Sequence, residues 1–226
     1  MAPERSMNMR FLRTMKKAGV LLCAAGLLAV FTGCDSSSSE PQAIPESELP
    51  YGATLVKDVT THVMPVQYDR RFLPVEAVDA VLTYYDSIRS GNAEQFAAIQ
   101  FPLWHDFNLE KTLGGEVTDA QIIENTDKEL KNFVGADFDF SLIDITGCVE
   151  NEGQESTQNV LAVLDMIAEE KGQGKVSPDV SKFFEVTVTR YLTKKGSGKK
   201  GETNLSLKDE LLYVFCHKDK WYVIYN

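Results

Sequence analysis

Trp104-His105-Asp106 places an imidazole directly beside a carboxylate, the one such adjacency in a chain of 226 residues. An imidazole titrates near neutrality and can take a proton, and a neighbouring carboxylate can orient it. A phenol from Tyr84 or Tyr85 can donate to a developing enolate or a departing hydroxyl. Tyr84, Tyr85, His105 and Asp106 would therefore suit an isomerisation or a dehydration. The plainer alternative makes both tyrosines core residues on a helix face and leaves His105 in a loop, exposed or held by backbone. His62, His105 and His217 are far apart and lack ligand spacing, so no metal is expected. Gly114-Gly115 and Gly172-Gln173-Gly174 fall at helix ends, where turns account for them better than a phosphate cradle does. No cofactor is expected.

Cysteine is the second reactive side chain, and Cys34 has the most informative surroundings. Arg10, Arg13, Lys16 and Lys17 precede an apolar run from Ala18 to Phe31, then Thr32-Gly33-Cys34. The run is shorter than the roughly 20 residues a membrane-spanning helix needs. The segment resembles a bacterial lipoprotein signal, which implies removal of residues 1–33 and acylation of Cys34 by chains such as palmitate. Residues 34–50, rich in Ser, Pro and Glu, bury too little surface to offset their ordering entropy and read as a tether. Residues 1–33 hold five cations and one anion, a net of +4, which leaves the exported part at −14 against −10 for the whole chain. Such an acidic chain is repelled by phosphates, and nucleic acid is not an expected partner. Cys148 and Cys216 fall in predicted strands outside the cytoplasm, where a disulfide between them and a pair of buried free thiols are both open.

The elements that must position these residues read as helices first and strands last. Tyr51–Leu73 has weak strand character broken by Pro65 and Pro74 and reads as an extended arm. Residues 74–226 then suffice for one domain with a single core. Val75, Val78, Leu82 and Tyr85 make one helical stripe, with Ala77, Val81, Tyr84 and Ile88 beside it. Ser90-Gly91-Asn92 ends that helix, and Ala93–Ile99 is a short second one stopped by Pro102. Thr118 and Gln121 form a capping box for a helix through Ile122, Ile123, Leu130 and Phe133, closed by Gly135. The period then changes to two. Phe138, Phe140 and Leu142 alternate with polar residues, and the strand runs on toward Cys148. A helix over Glu155–Lys171 interrupts before strands around Phe184–Val188, over Leu205–Cys216 and over Trp221–Tyr225. Lys194-Lys195-Gly196-Ser197-Gly198-Lys199-Lys200, the one basic island, reads as a solvated hairpin tip. This is an α+β plan, with N-terminal helices packed on one face of a curved antiparallel sheet.

A long helix ending in Ser90-Gly91-Asn92-Ala93-Glu94, a short helix after it and a terminal hairpin Lys218-Asp219-Lys220-Trp221-Tyr222-Val223 resemble the nuclear transport factor two-like superfamily. That cone-shaped, cystatin-like fold is shared with ketosteroid isomerase and scytalone dehydratase. The chain looks most like small lipoproteins of Gram-positive bacteria that carry such a domain. The resemblance implies a cone open at one end, where ligands bind or chemistry occurs. The expectation is a lipid-anchored protein on the extracytoplasmic face of the cell membrane. Its domain would serve as a binding or protein-interaction module for an envelope protein or a small apolar ligand. The rival is a small isomerase or dehydratase with an acid-base pair in the cone. A purely structural, immunity-like or assembly protein would instead show a filled cone and an exposed apolar patch on the sheet.

Overall fold

The computed structural model describes residues 44–150, 153–195 and 205–225. The leader, the acylation candidate Cys34 and Gly196–Lys200 of the basic island lie outside the described residues. Among the described residues six strands and five α-helices follow one another: β1 (Leu55–Asp58), β2 (Val66–Asp69), α1 (Val75–Ser90), α2 (Ala93–Ile99), α3 (Pro102–Phe107), α4 (Asp119–Val134), β3 (Phe138–Glu150), α5 (Glu155–Glu170), β4 (Val180–Lys194), β5 (Leu205–His217) and β6 (Lys220–Tyr225).

The local signals act as expected at most helix ends. Gly91 and Gly135 close α1 and α4 in the left-handed region, at φ 73° and 74°. Thr118 and Gln121 form the full reciprocal capping box of α4. Pro102 is different. It does not merely stop α2; it opens α3, because the N–H that proline lacks would be an orphan in a first turn anyway. Trp104-His105-Asp106 is therefore helical, and a π-helical turn over Asn108–Thr112 follows it. On α4 the core side is Ile123, Leu130 and Val134, while Phe133 is 46 % exposed.

The strands form one sheet in sequence order, and it is mixed rather than antiparallel. β2 and β3 run parallel, with Val66 opposite Ile143, while every other neighbour is antiparallel. Parallel neighbours need a long crossover, and here α1 to α4 supply it. The expected arm is thus part of the sheet: its weak strand signals become a hairpin whose residues Met64, Val66 and Tyr68 are buried.

Three of the strands carry β-bulges, β4 at Ser181, and those of β3 and β5 explain an alternation that sequence reading extends too far. Phe138 and Phe140 face the core, the register slips before Leu142, and Ile143 and Ile145 then take the inward positions. A second slip before Gly147 hands that role to Cys148. On β5, Leu207 and Glu210 pair with Arg190 and Val188, so Lys208 and Asp209 bulge, and Asp209 sits at φ 58°. An extra residue reverses the parity of every side chain after it and bends the strand.

Both faces of the sheet are covered, not one. Leu212 and Val214 of β5 join the core shared with α1, whereas Tyr213 and Phe215 join a second core with Leu164, Ile167 and Ala168 of α5. Consecutive strand residues point to opposite faces, so α5 packs on the side away from α1. Phe101 and Leu103 enter this second core after the chain passes the β6 edge, where Gln100 bridges Val223.

A strap precedes β1. The buried Asp69 carboxylate accepts from Gly52 N and Thr54 Oγ1, both at 3.0 Å, and from Arg71 N, Nε and Nη2 at 3.2, 2.9 and 2.6 Å. Arg71 also donates to the carbonyls of Glu46, Leu49 and Pro50. Tyr51 donates to Ile145 O at 2.7 Å and accepts from Asp69 N at 3.3 Å. The last residues of the expected tether are therefore bound to the domain.

Candidate functional site

α1 supplies the two tyrosines, and its wide apolar face puts both inside. Tyr85 is fully buried, donates to Glu210 Oε2 at 2.9 Å and lies beneath the Arg190 guanidinium, 5.5 Å from its ring centre. Arg190 Nε is 2.7 Å from the same Glu210 oxygen, as an ion pair without hydrogen-bond alignment. Tyr84 stacks on both Phe96 and Tyr225, with ring centres 5.8 and 5.9 Å away, and those two rings also meet, at 6.4 Å. Burial, with Glu210 nearby, pushes both phenols well above their ordinary pKa. Neither ionises at neutral pH, and Tyr85 stays protonated as the hydrogen-bond donor to Glu210.

His105 is buried, as the α3 turn requires, and does not pair with Asp106. Its Nε2 lies 3.0 Å from Asp119 Oδ1, the first residue of α4, again without hydrogen-bond alignment. Asp106 points away, 64 % exposed and 3.8 Å from Lys171. The reason is periodicity: neighbours on a helix lie about 100° apart, so an adjacent pair cannot share a face. Tyr225 closes the gap from the sheet side. Its hydroxyl accepts from Asn108 Nδ2 at 3.2 Å, and burial raises its pKa.

The candidates thus resolve into two polar groups beside the Phe96-Tyr84-Tyr225 ring cluster: Tyr85-Glu210-Arg190, with Tyr85 against Tyr84, and His105-Asp119, with His105 against Phe96. Three of the four residues singled out from sequence are gathered here, and Asp106 is not. Asp119, Glu210, Arg190, Asn108 and Tyr225 escaped notice. One signal existed: Lys208-Asp209-Glu210 sets three charges in succession inside an apolar strand.

No family model, no curated protein and no solved structure matches the chain.

The remaining sequence candidates lie elsewhere. Cys148 and Cys216 are both free and buried. β4 separates their strands, and Cys148 lies opposite Val186, which faces Leu212, four residues short of Cys216. Two interstrand spacings already amount to about 10 Å, beyond disulfide reach. Cys148 Sγ donates to Phe72 O at 3.5 Å, and burial pushes its pKa up to about 12. The histidines stay apart: His62 meets Asp79 at 2.6 Å, and His217 lies 3.9 Å from Asp179. Among the described residues no three His, Cys, Asp or Glu side chains are grouped to hold a metal.

Proposed function

We propose that the chain is an envelope lipoprotein, anchored through acylated Cys34 on the extracytoplasmic face of the membrane. Its α+β domain, of the nuclear transport factor two-like cone type, serves as a binding or protein-interaction module. One observation carries the choice of module over enzyme. Tyr84, Tyr85, Phe96, Phe140 and Tyr225 pack ring against ring between α1 and the sheet, where that fold type would hold a ligand. A filled interior directs recognition to the surface, and α5 offers one outward apolar pair, Val163 and Met166, at 36 and 49 % exposure.

A second reading rests on the two polar groups. His105 beside Asp119 and Tyr85 on Glu210 are the acid-base pieces an isomerase or dehydratase would use, if the aromatic stack opened to admit a substrate.

The test has two arms. Membrane fractionation and palmitate labelling of the wild type and Cys34→Ser should show label and attachment lost together; unchanged labelling in the variant would sink the anchor. In cells, photocrosslinkers at Val163 and Met166 should yield one discrete adduct that Met166→Glu abolishes. A domain whose Tm instead rises with small cyclic ketones or enols, and no longer does so in Tyr85→Phe, would move the reading to the enzyme.

A further inference from the structure

Leu55, Val59 and Val63 stand 44, 58 and 60 % exposed along β1 and the loop after it. This is the unprotected side of the sheet. The β6 edge is occupied by Gln100 at Val223, whereas β1 has β2 as its one strand neighbour among the described residues. His62 Nδ1 on Asp79 Oδ1, at 2.6 Å, pins the middle of the loop to α1 and leaves a valine exposed on each side of it.

The charge pattern differs here from the rest of the molecule. In a chain at −10, residues 52–65 hold one lysine, Lys57, and one acid, Asp58. Asp58 is turned to its own loop and accepts from Thr60 N and Thr61 N at 2.8 Å each. Exposed Arg70 follows on β2's side; of the acids around this edge, Asp69 opposite Leu55 is paired with Arg71, Asp144 interacts with Lys57, and Asp79 is bound by His62. An acidic protein can approach anionic head groups by such a neutral edge more easily than by its other faces.

Chain length brings the same edge near the anchor. Arg71 holds the carbonyls of Glu46, Leu49 and Pro50, and Leu55 begins β1 opposite Asp69, beside that grip. Glu46 lies twelve residue steps along the chain from Cys34, a span of at most about 40 Å. That is about the diameter of a compact domain of some 180 residues, so an anchored chain keeps this end of the domain toward the bilayer.

We propose that the β1 edge, with Leu55, Val59 and Val63, rests on the interfacial layer of the membrane that holds the anchor. The proposal takes acylation at Cys34 as given. Apolar side chains on a near-neutral loop partition into that layer, whereas α5, on the far face of β4–β6, stays free for partners.

Full-length protein extracted from membranes is reconstituted in vesicles of phosphatidylcholine and phosphatidylglycerol that include a diazirine-acyl phosphatidylcholine. After irradiation, adducts are mapped by peptide mass, and the N-terminal peptide is weighed for acyl chains. Adducts concentrated in residues 53–65 are expected, with loss of that signal in Val59→Asp/Val63→Asp at unchanged Tm. An acylated protein with adducts on α5, or with none in residues 53–65, overturns the proposed face while leaving the anchor standing. An N-terminal peptide without acyl mass overturns the lipoprotein reading, and the membrane face with it.

Discussion

Two carboxylate–arginine pairs sit along the same sheet and differ in burial and in how completely they are bonded. Asp69 on β2 receives five donors, and its partner Arg71 spends its remaining hydrogens on main-chain carbonyls. Glu210 on β5 receives one aligned donor, Tyr85, and an Arg190 that is close but misaligned. It also reaches its place through a bulge that holds Asp209 in the left-handed region. A closed network rigidifies the fold, whereas an incompletely bonded one retains capacity to act on something else. The difference separates a structural clamp from a candidate site without appeal to relatives.

The largest effect should come from opening the clamp. Asp69→Ala leaves Arg71 and the amides of the strap without their acceptor and should cost about 3 kcal/mol in chemical denaturation. Hydrogen exchange should show protection lost first between Gly52 and Thr54. A cost below about 1 kcal/mol would mean the strap is held by its apolar contacts, such as Tyr51 against Phe72, and the contrast between the pairs would fail.

Acid should act on the same pair. Arg71 holds the Asp69 carboxyl far below its ordinary range. A group depressed in the folded state contributes stability that is fully present above its unfolded value, about 3.9, and is lost as pH falls below it. Stability of the wild type should therefore fall more steeply below pH about 4 than that of Asp69→Asn. Parallel curves would assign the acid sensitivity to other carboxylates.

At the looser pair the effects should be smaller and partly of opposite sign. Tyr85→Phe removes one hydrogen bond and should cost about 1 kcal/mol, because Glu210 is partly open to water and retains Arg190. Asp209→Gly should stabilise slightly, by about 0.5 kcal/mol, because glycine relieves the left-handed backbone. A large loss in Asp209→Gly would mean that its side chain, not the bulge, holds Glu210 in place.

The same contrast explains what could be read from the sequence. Thr118 with Gln121, Gly91 and Gly135 declared helix ends because capping chemistry is local. Tyr84 and Tyr85 were legible as inward residues for the same reason, since a stripe of period 3.6 fixes which face is buried. The bulges at Ser141, Thr146, Ser181 and Lys208-Asp209 were not, because a register slip is decided by the neighbouring strand. Nor was the His105-Asp119 pair, which is made by how α3 and α4 meet across an intervening turn. β1 and β2 were too short and too broken by Pro65 to outweigh a loop from sequence alone, and α5 gave its helix but not the face it covers.

Cys148 offers the finest probe of the clamp. Its thiol donates to Phe72 O, the residue after Arg71, and the Arg71 guanidinium lies over the Phe72 ring at 4.9 Å. With its pKa pushed up to about 12, little thiolate exists at pH 8, and reaction with an aromatic disulfide reagent must await an opening of the structure. The wild type should therefore react slowly at Cys148 and fully once denatured. Asp69→Ala should speed the native reaction at least about tenfold, the factor that 1.4 kcal/mol of easier opening gives. Tyr85→Phe and Asp209→Gly should leave it nearly unchanged. Equal acceleration by all three variants would mean that the sheet opens as one cooperative unit, and the two carboxylate–arginine pairs would then be parts of a single structural network rather than a clamp and a site.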